Sequence, residues 1–240
     1  MGSVINSMLF VVGMGMTGLS TGVLKMASEG ENDDKAASKS LNWMKLLVLL
    51  SFILMVLYFP VTLIWLGIIP FAYRFHALAV LLTAWLVYTV RRKHGLRDLG
   101  FRCDNLKGSL FWNGILCAAG GCIMYLTYLA GYLRTSPIAV WLPFYIIYVF
   151  ILVPIQELIF RSILFAEMKK INISDYRWLI AISTVSFCFL HIIYKHPTIL
   201  GITFCSGLMW GIIYNRYPNI WGVSMSHAVL GSMAIAFGLI

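Results

Sequence analysis

Long apolar runs, separated by short stretches that carry lysine and arginine, constrain this chain more than any other feature. Of its 240 residues 60% are hydrophobic and 11% charged, against roughly 45–50% and 25% in ordinary soluble domains. A single soluble core cannot hide that much apolar surface. A set of membrane helices can, because their lipid-facing sides are apolar as well. A spanning helix needs about 20 mostly apolar residues. Eight such segments can be drawn, over 4–24, 45–69, 70–90, 109–133, 138–167, 178–194, 198–214 and 219–240. The expected fold is therefore all-α, a polytopic transmembrane bundle of about eight spans. The first segment is the weakest, because Gly, Ser and Thr crowd GMGMTGLSTG. Pro60, Gly67 and Pro70 blur the break between the second and third.

The net charge of +9 belongs to this pattern. The segments 25–45, 91–107, 167–177 and 215–217 hold four, six, three and one of the 18 Lys and Arg residues. With eight alternating spans all four fall on one side. By the positive-inside rule that side is cytosolic, and no nucleic-acid partner is expected. Membrane lipid is the expected surrounding, in a prokaryotic plasma membrane rather than the endoplasmic reticulum, given the compact loops. The organisation reads as a weak N-terminal span with a charged linker over 1–44, a transmembrane hairpin over 45–94 and a core over 95–240. The connection HGLRDLGFRCDNLKGS reads as amphipathic, at the bilayer surface. Five cysteines show no CxxC spacing, and four lie in apolar runs as small hydrophobes.

Within this hydrocarbon a few polar side chains stand out. Gln156, Glu157 and Arg161 lie in VPIQELIFRSILFAEM, His191 ends VSFCFLH, and His227 lies in WGVSMSHAVLG. An ionisable group at the centre of a span costs about 2.5–3.5 kcal/mol on insertion scales, so several together point to shared use. Counting about 1.5 Å per residue from the basic ends puts Glu157 about 15 Å deep, His191 about 20 Å and His227 about 12 Å. All three then reach one slab of the bilayer, in a polar chamber expected to open to the cytosolic side. Glu157 and Arg161 are four apart with Glu first, the favourable order for an ion pair. Gln156 points about 100° away from Glu157 on the same helix. Phe187 shares a face with His191, as Gly231 does with His227. His94, among Arg91, Arg92 and Lys93, is expected in solvent. Gly201, Gly207 and Gly211 suit close packing of helices.

These stretches resemble the CAAX protease and bacteriocin-processing (CPBP, or Abi) family of intramembrane proteases. QELIFRSILF is similar to its EExxxR motif and FCFLH to its FxxxH motif. GLMWGIIYNRYPNIWGVSMSHAVLG is similar to its last region, which ends in HxxxN, and LRDLGF to the connection ahead of the first motif. The match runs over roughly 95–231 in the right order. The resemblance implies that the first Glu activates water, that the second Glu and the Arg support it, and that the histidines and Asn hold water and substrate oxygen. Carried over, these positions are Gln156, Glu157, Arg161, His191, His227 and Gly231. Two depart from the pattern. Gln156 is an amide and cannot serve as a general base. Gly231 has no side chain with which to donate a hydrogen bond.

Three readings stay open. The first is an endopeptidase acting on a hydrophobic or prenylated peptide, with impaired catalysis and Glu157, His191 and His227 doing the work. Two His and one Glu would also suit a catalytic zinc. The second is a member that binds a peptide without cutting it, as a scaffold or a bacteriocin-immunity protein. The third is a small proton-coupled transporter, for which the sequence lacks the expected repeats.

Overall fold

The computed structural model describes residues 58–135, 141–170 and 175–239, together with Met44, Ser51, Met55, Val56 and Ile173. The expected span over 4–24, the charged linker after it and most of 45–57 lie outside the described residues. The chain divides into two compact units, Met1–Ser51 and Phe52–Ile240. The candidate site lies wholly within the second unit.

Among the described residues of that unit every regular element is helical. We number them α1 (58–65), α2 (Arg74–Arg92), α3 (Leu106–Leu129), α4 (Leu142–Lys170), α5 (Tyr176–Leu190), α6 (Pro197–Arg216) and α7 (Ile220–Ala236). Four helical stretches are long and apolar enough to cross a membrane: α3, α4, α6, and α5 with its continuation to Tyr194. α7 is apolar but shorter. The chain is a multi-pass membrane protein built as a helical bundle. Its outer surface agrees, since Phe111, Trp112, Ile123, Phe150, Phe204 and Trp221 are all exposed. A soluble protein rarely shows so much contiguous apolar surface.

The helix ends follow from local chemistry. Asn219 caps α7 by accepting from the backbone N–H groups of Trp221 and Gly222, and Asp175 caps α5 through Arg177 N–H. α6 begins at Pro197, where a missing N–H costs nothing. Arg91 and Arg92 lie in the last turn of α2, at the negative end of its dipole. Between α1 and α2 the chain turns through Gly67 at φ +79°, and Pro60 lies inside α1.

Side-chain contacts show which ends lie together. At one end Arg92 of α2 forms an ion pair with Glu167 of α4 at 2.9 Å, and Lys170 donates to the Arg92 carbonyl. Asn219 donates to the Arg102 carbonyl at 2.6 Å, and Ile220 N–H to the Gly100 carbonyl at 3.1 Å. At the other end Tyr128 of α3 stacks on Phe237 after α7, and Phe71 meets Tyr194 edge-on. The basic residues thus collect at the first end. His94 departs from expectation. Its side chain is 5% exposed and hydrogen-bonded to Glu167, because a buried carboxylate needs more than one donor. The 93–105 connection is built of turns, with Leu99 buried and the Arg97, Arg102 and Asp104 charges paired outside.

Candidate functional site

α4 positions most of the site and is not a uniform helix. It changes to π-helix at Tyr148–Leu152 and again at Leu158–Ile163. Pro154 explains the first change: it has no N–H, and its ring displaces the carbonyl one turn back. Val153 N–H accordingly bonds Tyr148 O, five residues earlier. Such π turns often accompany functional sites. The short α-helical turn between them carries Gln156 and Glu157.

These neighbours enter different surroundings. Glu157 is fully buried, and its Oε1 accepts from His227 Nδ1 at 2.7 Å and from Arg161 Nη1 at 3.3 Å. Its Oε2 lies 3.3 Å from Arg161 Nε, as charge contact without an aligned hydrogen bond. Arg161 is fully buried too. It donates to the Gly207 carbonyl at 3.4 Å, and its guanidinium lies 4.4 Å from the Phe187 ring centre and 5.5 Å from that of Trp210. A buried charge is tolerable only when paired and hydrogen-bonded, and aromatic faces add cation–π attraction. Trp210 also stacks on the His227 ring at 4.5 Å.

A chain of hydrogen bonds that was not anticipated from the sequence fixes Trp210. Its indole N–H donates to Ser226 Oγ at 2.8 Å, Ser226 Oγ donates to Asn113 Oδ1 at 2.6 Å, and Asn113 donates to the Ser109 carbonyl. All four residues are buried. Asn113, an amide inside an apolar run, was the signal available in the sequence. Close packing makes the geometry possible. A Cβ on Gly207 would lie 3.1 Å from Phe187, one on Gly211 3.2 Å from Ile180, and one on Gly222 2.1 Å from Ser109 Oγ. Gly201, by contrast, faces open space.

Gln156 faces the other way, into a cavity of about 310 Å³ that it lines with His191 and Tyr148. Its buried Oε1 has no hydrogen-bond partner. His191 lies where α5 passes into a 3-10 turn, and its Nδ1 bonds the Phe187 carbonyl at 3.0 Å. A carbonyl only accepts, so Nδ1 carries the proton and Nε2 of the neutral ring keeps its lone pair. Phe187 joins the two regions, its ring centre 4.8 Å from that of His191 and 5.4 Å from that of His227. Glu157 and His227 are therefore in direct contact, while His191 reaches them only through an aromatic ring. Gly231 lies on α7 beneath the Tyr148 hydroxyl. The remaining cavity lining includes Val61, Leu81, Phe144, Phe71, Arg74 and Tyr194. The cavity extends toward the end of the bundle away from the basic residues.

A zinc held by Glu157, His191 and His227 does not suit these surroundings. Glu157 is bonded to Arg161 and His227, and a guanidinium at a carboxylate opposes a second cation there. His227 Nδ1 is protonated toward Glu157, which leaves only imidazole Nε2 atoms as donors. Among the described residues no group of three His, Cys, Asp or Glu side chains is arranged around a metal position. We therefore assign no chemical step to a metal.

Residues 137–233 match the family model described as Rce1-like, type II CAAX prenyl endopeptidase Rce1-like. No curated protein and no solved structure matches the chain.

Proposed function

We propose that this chain, a member of the type II CAAX prenyl endopeptidase family over residues 137–233, takes a hydrophobic or prenylated peptide into the cavity beside Gln156 and His191 and hydrolyses it slowly or not at all. One observation carries this reading. The motif side chain that faces the cavity is an amide, and the neighbouring carboxylate is enclosed by Arg161 and His227.

Peptide hydrolysis needs a group that takes a proton from water. Gln156 cannot do so at any accessible pH. Glu157 would have to leave two cationic or proton-donating partners to reach the cavity. Breaking such a buried pair costs about 3–5 kcal/mol. His191 keeps a basic Nε2 toward the cavity but has no carboxylate beside it to orient a water. Binding requires less: an apolar wall and a few polar groups, which the cavity has. The basic end of the bundle is read as cytosolic, so the cavity extends toward the opposite face of the membrane. In this reading the peptide enters from that face, whereas the sequence alone led to an expectation of the cytosolic side.

The test uses the purified full chain in lipid nanodiscs and a dansyl-labelled, farnesylated CAAX-type peptide. Fluorescence should show saturable uptake, while mass spectrometry of the same mixture should show intact peptide after many hours. Absence of uptake would overturn the binding site. Rapid multiple-turnover cleavage by the parent protein would overturn the proposed attenuation.

A further inference from the structure

We infer that the Tyr148 hydroxyl is the hydrogen-bond donor that receives a backbone carbonyl of the peptide in this cavity, and that Gly231 is glycine to make room for it. The inference rests on the peptide-binding reading and adds the residue that fixes the peptide's position.

Space sets the first constraint. A Cβ built on Gly231 would lie 1.9 Å from the Tyr148 oxygen and 2.9 Å from the ring carbon that bears it. Real Cβ atoms do not approach so closely, so the hydroxyl occupies the volume that any other residue at 231 would fill. The ring is held on several sides. It stacks on Phe144 with centres 6.0 Å apart, meets His227 edge-on at 6.4 Å, and packs with Val153, Ala228 and Ile235. A ring so fixed cannot swing its hydroxyl elsewhere.

The second constraint is chemical. Tyr148 lines the cavity, and its hydroxyl, which makes no side-chain hydrogen bond seen among the described residues, is open to a ligand there. Beside it Gln156 Oε1 is buried without a partner, a state polar atoms are seldom left in. Two of the cavity's polar groups complement the hydroxyl. Gln156 Oε1 accepts only, and His191 Nε2 accepts in the neutral ring. A peptide backbone brings both N–H and C=O, so the acceptors Gln156 Oε1 and His191 Nε2 beside the Tyr148 donor can meet an extended segment, with Gln156 Nε2, Arg74 and Tyr194 as further donors in the lining. Tyr148 is thereby a ligand-binding residue, and Gly231 acts only through it.

Two measurements test this. In nanodiscs, Tyr148→Phe should weaken binding of the dansyl farnesyl peptide about five- to tenfold, the size of one hydrogen bond. A set of peptides in which each backbone carbonyl becomes a thiocarbonyl should contain one member that binds several-fold weaker to the parent and no weaker to Tyr148→Phe. Separately, Gly231→Ala should lower the melting temperature several degrees more in the parent than in Tyr148→Phe, where the offending oxygen is gone. Equal binding by parent and Tyr148→Phe would overturn the inference and leave the peptide-binding reading intact. Equal melting losses in the two backgrounds would overturn the spatial constraint. If the parent takes up no peptide, both fall.

Discussion

Gln156 and Glu157 are adjacent on α4, yet Glu157 belongs to a charge-paired core and Gln156 to a cavity where its own amide oxygen has no partner. On the Glu157 side each charge has a partner. Arg161, His227, Trp210, Ser226 and Asn113 form a connected network that reaches α3, α6 and α7. On the Gln156 side the buried amide oxygen has no partner, and Tyr148 lines the same cavity beside apolar walls. About 100° of helix rotation separates the two directions. The contrast is between a carboxylate tied to residues of other helices and a cavity in which Gln156, His191 and Tyr148 stand with Arg74 among apolar side chains. Stability and function can then be altered separately.

Four substitutions can break or sharpen that division. The largest stability effect is expected from Arg161→Met, which leaves Glu157 buried without its cation. A loss of about 3–5 kcal/mol follows from breaking a buried pair, visible as a much lower melting temperature in detergent. A melting temperature near the parent's would mean that the pair is not the brace described. Next comes Asn113→Ala, which frees the Ser226 hydroxyl and loosens Trp210. About 1–3 kcal/mol is expected, again by thermal unfolding, together with a change in tryptophan fluorescence.

His191→Ala should behave oppositely. It removes a cavity wall and one hydrogen bond to a helix-end carbonyl, so stability falls by about 1 kcal/mol. Peptide uptake should weaken more clearly than folding does. If folding and uptake were lost together, the two sides of α4 would not be separable. The smallest effect belongs to Asp104, exposed in the 93–105 connection. The hydrogen bond from Arg102 holds its pKa down at about 2. A depressed carboxylate contributes stability above its unfolded pKa and loses it as pH falls through the folded value. The pair should therefore persist from pH 7 to pH 4, and Asp104→Asn should leave the melting temperature unchanged within error.

Much of the bundle could be read in the sequence because bilayer thickness sets helix length. The described helices α3 to α7 begin and end within a few residues of the apolar runs. The polar cluster was readable for a related reason, since Glu157, Arg161 and His227 are conspicuous in hydrocarbon. Tyr148 was not, because a tyrosine in an apolar run usually means packing, and nothing linear ties it to a glycine 83 positions later. The His94 contact escaped because three neighbouring cations made solvent the natural expectation, whereas Glu167 on a different helix supplies the partner. The set of residues that line the cavity was not legible either. It depends on which helix faces diverge, and the π turns of α4 alter those faces in a way that hydropathy does not record.

In the proposed function an amide at the cavity-facing motif position, and not a collapsed site, limits hydrolysis. Gln156→Glu tests this most directly, assayed beside the parent with the same farnesylated peptide and with a chelator control. A placed general base typically contributes about 10²–10⁴ in rate. We expect peptide uptake to be kept, a cleavage product to appear or increase by at least about 10², and the chelator to have no effect. Unchanged cleavage by a folded, peptide-binding Gln156→Glu protein, or faster cleavage by the parent, would contradict it.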